Sequence, residues 1–162
     1  MPFVTLTDGG ADTFLGVHVS LQSDYTIPSS SQTTIPYGSG TTQYDVGDWH
    51  DESTNNERLV VPSAADGKYV VAMVNVIWTS VPFTGPTWLA IRHFDSGGVQ
   101  RHQIRSQSID DNNADCVLTP AILCSAGDYF TSVVWQESGT NKDIWGKSTN
   151  SQFSNFSAWV VG

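Results

Sequence analysis

The sequence predicts an all-β chain folded as an antiparallel sandwich of two stacked sheets. Three observations carry that prediction. Short runs rich in Val, Ile, Thr and aromatic residues recur roughly every 8 to 14 residues and are separated by clusters of Gly, Pro, Asn and Asp. No stretch shows the period of an amphipathic helix. The chain also stops on an apolar, aromatic segment running from Phe153 to Gly162, whereas termini are ordinarily frayed and polar unless a sheet ties them down.

The expected strands are, in order, 16–22, 32–37, 41–46, 58–62, 67–80, 87–94, 99–108, 116–124, 128–137 and 152–161. They number about ten, enough for two stacked sheets of about five each. The run 67–80 is the most hydrophobic. It puts Tyr69, Val71, Met73 and Ile77 on one face and Val70, Ala72, Val74, Val76 and Trp78 on the other. A half-solvated strand would alternate apolar with polar, so this one needs cover on both sides, from a partner subunit or from a long loop of the same chain. Asp95-Ser96-Gly97-Gly98 joins 87–94 to 99–108 as a hairpin turn, and Gly127-Asp128 makes a tight turn into 128–137. In the last strand Phe153 and Trp159 point one way and Phe156 the other, so this strand too needs cover on both sides.

At 162 residues the chain is expected to be a single domain able to bury one good core, with residues 16–162 as the head. Residues 1–15, carrying Phe3, Val4, Phe14 and Leu15, are an arm that anchors the head to something larger, a disordered start or an extra edge strand. Charged residues make up 14% of the chain, against about 25% in ordinary soluble domains. The net charge of −9, from 16 acidic and 7 basic residues, disfavours nucleic acid and anionic membranes as partners. No run approaches the roughly 20 apolar residues of a membrane span, and the start Met1-Pro2-Phe3-Val4-Thr5 lacks the features of a signal peptide.

Cys116 and Cys124 lie on either side of Thr119-Pro120. On one straight strand they would be roughly 26 Å apart and remain ordinary buried thiols, whereas a turn at Thr119-Pro120 would face them as hairpin partners within disulfide reach. Neither has a His at metal-ligand spacing, so zinc is not expected. Arg92, Arg101 and Arg105, with His93 and His102, form a basic patch on two adjacent strands. Such a patch suits an acidic loop of a neighbouring subunit, a sulfated or sialylated glycan, or the balancing of local acids. Asp110, Asp111 and Asp115, in an Asp/Asn-rich loop, are candidate calcium ligands, although the spacing also fits solvated turns. A second acidic group, Asp45, Asp48, Asp51 and Glu52, has the same two readings. No nucleophile elbow, phosphate loop or paired His on a helix is present, and carboxylates such as Asp48, Asp51, Glu57 and Glu137 show no particular pairing. No enzymatic activity and no cofactor other than calcium is expected.

Three blocks carry a family resemblance. The first is Tyr44-Asp45-Val46, Leu59-Val60-Val61-Pro62 and Gly67-Lys68-Tyr69-Val70-Val71. The second runs from Leu118 to Gly127-Asp128-Tyr129, and the third is Ser151-Gln152-Phe153-Ser154-Asn155-Phe156. In this order they resemble the globular head of complement component 1q, a jelly roll shared with the tumour necrosis factor superfamily. Asn155 stands where that family often has Gly, and no collagen-like Gly-X-Y stalk is present. Trp49-His50-Asp51 with Ser53-Thr54-Asn55 looks most like heads of bacterial and bacteriophage structural proteins.

The resemblance implies a jelly roll that assembles as a homotrimer, with Tyr69, Val71, Met73, Trp78, Tyr129, Trp135, Phe153, Phe156 and Trp159 as candidate core and interface residues. It further implies a binding or structural module of a virus particle, a capsid decoration or head-spike protein contacting the major capsid protein or another virion protein. A different class is the tip of a tail fibre that binds a cell-surface receptor or glycan through the loop 79–86, with Trp78, Phe83 and Trp88 near it.

Overall fold

A computed structural model describes residues 14–79, 85–108, 114–147 and 153–162. Thirteen strands form among them: β1 (Gly16–Ser20), β2 (Tyr25–Ile27), β3 (Thr33–Thr34), β4 (Thr42–Val46), β5 (Arg58–Val60), β6 (Lys68–Ile77), β7 (Thr87–Phe94), β8 (Gln100–Ser108), β9 (Ala114–Leu118), β10 (Ile122–Cys124), β11 (Tyr129–Gln136), β12 (Lys142–Ile144) and β13 (Asn155–Val161). The single helical element among the described residues is a short turn, Ser63–Ala65. No described helix is long and apolar enough to cross a membrane.

All pairings are antiparallel, and two sheets stack. The first has the order β10-β6-β13-β1-β4, with β9 on the same strand β6. The second has the order β3-β11-β7-β8, with β5 also on β11. One expected long strand is therefore broken. In the expected strand 116–124, β9 pairs Met73–Ile77 while β10 pairs Lys68–Val70, and the segment between them holds Pro120. Proline has no N–H to give to a sheet, and the Thr119 hydroxyl accepts from Ala72 N (2.9 Å) where the ladder is interrupted. Cys116 lies opposite Asn75 and Cys124 opposite Lys68, about 24 Å apart along β6. The two cysteines are free, and Cys116 is exposed rather than buried.

The core follows from strand alternation. From the first sheet, Val17, Val19, Val70, Ala72, Val74, Val76, Phe156 and Ala158 point inward with no accessible surface. From the second, Leu59, Leu89, Ile91, Phe130 and Val134 meet them with the same full burial. Tyr37 packs its ring on Phe156 (centroids 5.8 Å apart) and shares a buried hydrogen bond with Ser132 Oγ (3.0 Å).

A small third sheet, β2 with β12, had no counterpart among the expected strands. It is tied to β11 by Gln136, whose amide nitrogen donates to the carbonyls of Ile27 (3.1 Å) and Thr140 (2.8 Å) while its side-chain oxygen accepts from Ser138 N (2.8 Å). The acidic cluster near 45–52 is also structural. Asp45 accepts from the backbone N–H groups of Trp49 and His50 (2.9 Å each), and Asp51 accepts from those of Ser53 and Thr54. His50 lies between the carbonyls of Tyr37 (2.8 Å) and Arg58 (3.0 Å). The segment Trp49-His50-Asp51 is thereby locked to the sandwich.

Two outcomes check this packing. Phe156→Ala should destabilise the chain by about 3–5 kcal/mol, the range for emptying a buried aromatic site, and urea unfolding of the variant measures it. A disulfide-exchange reagent should titrate no more than one thiol in the native chain and two in denaturant, because Cys124 is sealed in the core; rapid native reaction at Cys124 would contradict the packing.

Candidate functional site

The outward face of the first sheet is where the described residues leave apolar surface without cover. Its register aligns four rows across the strands. One row is Tyr44, His18, Ser157, Met73 and Leu118; the next is Val46, Gly16, Trp159 and Val71. Val161, Tyr69 and Leu123 make a third, and Ser20, Asn155, Asn75 and Cys116 the fourth. Leu118, Leu123 and Tyr69 are 55%, 59% and 53% exposed. Of the large hydrophobic side chains exposed among the described residues, all but Val60 and Val99 lie on this face.

These rows contain no Asp, Glu, Lys or Arg. His18, their one basic side chain, bonds Ser157 Oγ through Nδ1 (2.7 Å) and stacks on Tyr44 (5.8 Å, 19°). Burial lowers the pKa of His18 below its ordinary value, so the face is neutral at physiological pH. Phe14 extends it: its ring packs on Tyr44 (6.0 Å) and crosses Gly16, where a Cβ would come within 2.7 Å of the ring and 2.9 Å of the Ala158 carbonyl. Glycine is what lets the ring lie flat there.

The candidate core and interface residues separate accordingly. Tyr69, Val71, Met73 and Trp159 share the open face of the first sheet. Trp78 and Phe156 are core, 1% and 0% exposed, and Phe153 is half-buried just before β13. Tyr129 and Trp135 are on the other sheet, facing away from the core. There Tyr129 stacks on Phe94 (4.9 Å) under the Arg58 guanidinium (4.4 Å), and Trp135 stacks on Trp88 (6.0 Å). Of the anchor candidates, Leu15 packs against the main core and its carbonyl accepts from Val160 N (3.0 Å). Leu15 and Phe14 thus belong to the head, while Phe3 and Val4 lie outside the described residues.

The basic patch divides: Arg92 lies opposite Gln103 and Arg105 opposite Ala90, so these two share the outward face of the second sheet, with Arg101 at its bulged end, while His93 faces inward. Residues 92 and 93 are consecutive on a strand and so face opposite sides. Arg92 bonds Gln103 (2.9 Å) and Gln32 (2.5 Å), Arg101 pairs with Asp95 (2.6 Å), and Arg105 lies over Trp88 (5.7 Å). His93 turns into the core, with His102 stacked on it at the sheet edge (5.5 Å, 9°). The candidate calcium loop fares similarly. Asp110 and Asp111 lie outside the described residues, and Asp115 is buried inside the sandwich, accepting from Trp78 Nε1 (3.1 Å) and Thr87 Oγ1 (3.4 Å). Burial raises its pKa, and its partners are neutral donors rather than fellow ligands. Of the aromatic residues near the 79–86 loop, Trp78 and Trp88 are both buried, and Phe83 lies outside the described residues.

The sequence did not bring together one group that the fold does. His93, Cys124 and Asp128 meet at one end of the core, with their ligand atoms all within 4.8 Å of one another. Burial and the Asp128 carboxylate push the Cys124 thiol up to about 12.

No protein-family model matches the chain, and no curated protein matches it. Solved structures do. Murine APRIL is 10% identical with a TM-score of 0.61, the match covering 90% of this chain and 99% of that one. Eiger TNF from S. frugiperda is 11% identical with a TM-score of 0.54, covering 92% and 93%. The globular domain of zebrafish complement 1qA protein is 11% identical with a TM-score of 0.54, covering 91% and 98%. The fold is a jelly roll of the tumour necrosis factor and complement 1q type.

His18 makes this face sensitive to acid. With its folded-state pKa depressed, protonation opposes burial as pH falls below 6.5 toward that lower value, and nothing is lost above it. Any association through the face should therefore weaken between pH 7 and mildly acidic pH, and His18→Gln should remove that dependence. Sizing at both pH values measures it; equal acid sensitivity in the variant would contradict the assignment.

Proposed function

We propose that this chain is a non-enzymatic binding or structural head that works as a homotrimer through the open face of its first sheet. One observation carries the reading: an uncharged apolar sheet face on a chain of net charge −9. Copies carrying that net charge repel one another at long range, so a contact surface between them must be free of like charge, and the rows around Met73 and Trp159 are. The family resemblance supplies the number three.

The setting we propose is a virus particle, with the head as a capsid decoration or head-spike protein. Support comes from the resemblance of the Trp49–Asn55 segment to bacteriophage and bacterial heads and from the weakly charged, Ser/Thr/Asn-rich composition. A tail-fibre tip that binds a glycan or receptor is the competing reading, and the burial of Trp78 and Trp88 removes two of the aromatic faces it would use.

Light scattering on the eluting peak should give three times 17.6 kDa, and Leu118→Asp with Tyr69→Asp should give a folded monomer, since both side chains are exposed in the isolated chain. A wild-type monomer at micromolar concentration overturns the trimer. Mass spectrometry of purified particles tests the setting: hundreds of copies support decoration, a handful at the tail supports the fibre tip, and absence defeats both.

A further inference from the structure

We propose that His93, Cys124 and Asp128 form a binding site for a divalent transition metal of borderline softness, best suited to zinc, which staples the two sheets together. The three side chains come from three different places. His93 is on β7 in the second sheet, Cys124 ends β10 in the first, and Asp128 sits in the turn that leads into β11. All three are buried.

The spacing is that of ligands around one centre. His93 Nε2 lies 3.4 Å from Asp128 Oδ2 and 3.8 Å from Cys124 Sγ. A tetrahedral zinc with bonds of about 2.0 Å to nitrogen and oxygen and about 2.3 Å to sulfur separates its N and O ligands by about 3.3 Å and its N and S ligands by about 3.6 Å. Those two separations match to about 0.2 Å, and closing the site draws the thiol and the carboxylate, now no more than 4.8 Å apart, toward each other. A catalytic relay does not fit these atoms, because the thiol and the carboxylate both approach the same ring nitrogen; a relay needs them on opposite nitrogens.

The metal-free arrangement leaves polar groups poorly served. His93 is 3% exposed. Its Nε2 is too far from the carboxylate for a good N–H···O bond, and a buried polar group without a partner is costly. A cation between the three ligand atoms would give Nε2 a strong partner.

The site is also held in place. Asp128 accepts from Ser125 N (2.9 Å) and Ser96 N (3.2 Å), and its own carbonyl accepts from Val61 N (2.7 Å). Gly127, at a φ of +85°, makes the turn that aims it. Phe130 stacks on the His93 ring (4.9 Å) and gives it a dry wall. On the other side His102, stacked on His93, also lines an open cavity of about 420 Å³ with Pro120, Ile122 and Leu123.

The test uses Zn²⁺ and Co²⁺ on the full chain after removal of metal with a chelator. One equivalent of Co²⁺ per chain should give a thiolate-to-cobalt charge-transfer band with the visible bands of tetrahedral cobalt. The bands should persist in Cys116→Ser, where Cys124 is the only thiol left, and vanish in Cys124→Ser. Zn²⁺ at a hundred times its Kd should raise the Tm by roughly 5–10 °C in the wild type and in Cys116→Ser, and not in Cys124→Ser. Absence of the bands from the wild type, or their loss in Cys116→Ser, overturns the site; the second result would place the metal on the exposed thiol. Should Cys124→Ser fail to fold, the Cys116→Ser spectrum alone decides.

Discussion

The pairing of β13 with β6 is the constraint on which the rest of this structure depends. The last strand of the chain is inserted in the middle of the first sheet, against β6 on one side and β1 on the other. Its inward residues Phe156 and Ala158 close the core beside Val74 and Ala72, and its outward residues Ser157 and Trp159 lie beside Met73 and Val71. Once that register is set, alternation leaves no choice. A shift of one residue would bury Ser157 and Trp159 where Phe156 and Ala158 now fit, and would expose the core residues to solvent. The apolar outer face is thus the direct consequence of a central strand pair that is hydrophobic on both sides.

Much of this was legible because it is local. The two-faced run around Val70 and Val71, the Asp95–Gly98 turn (Gly98 N to Asp95 O, 2.9 Å) and the Gly127-Asp128 turn each depend on a few adjacent residues. The alternation of Phe156 with Trp159 needed only the period of a strand. What sequence reasoning missed depends on distant partners. Strands β2 and β12 are three residues each and exist because Gln136 bonds across to them. The Thr119-Pro120 break interrupts what reads as one strand, and only β6, which carries both halves, shows where it falls. The basic patch lost His93 for a reason the sequence did contain, since Arg92 and His93 are neighbours on a strand and were bound to part company.

The meeting of His93, Cys124 and Asp128 was out of reach for a different reason. Ligand spacing along the chain detects sites built on one hairpin or helix, and Cys124 has no His nearby in sequence. The sandwich brings His93 to it from the opposite sheet, across a gap that only folding closes. The two faces of the first sheet therefore do different work. Its inner side, at Cys124, meets His93 and Asp128 in a buried polar group, and its outer side presents neutral apolar surface.

Hydroxyl-radical footprinting over a range of protein concentrations tests the central claim most directly, because it reads side chains on the two outer faces in one experiment. The account predicts that oxidation of Met73, Tyr69 and Trp159 falls as concentration rises while Tyr129 and Trp135 on the opposite sheet keep their rates. Unchanged rates at Met73 and Tyr69 across the range, or protection confined to the second sheet, would contradict it.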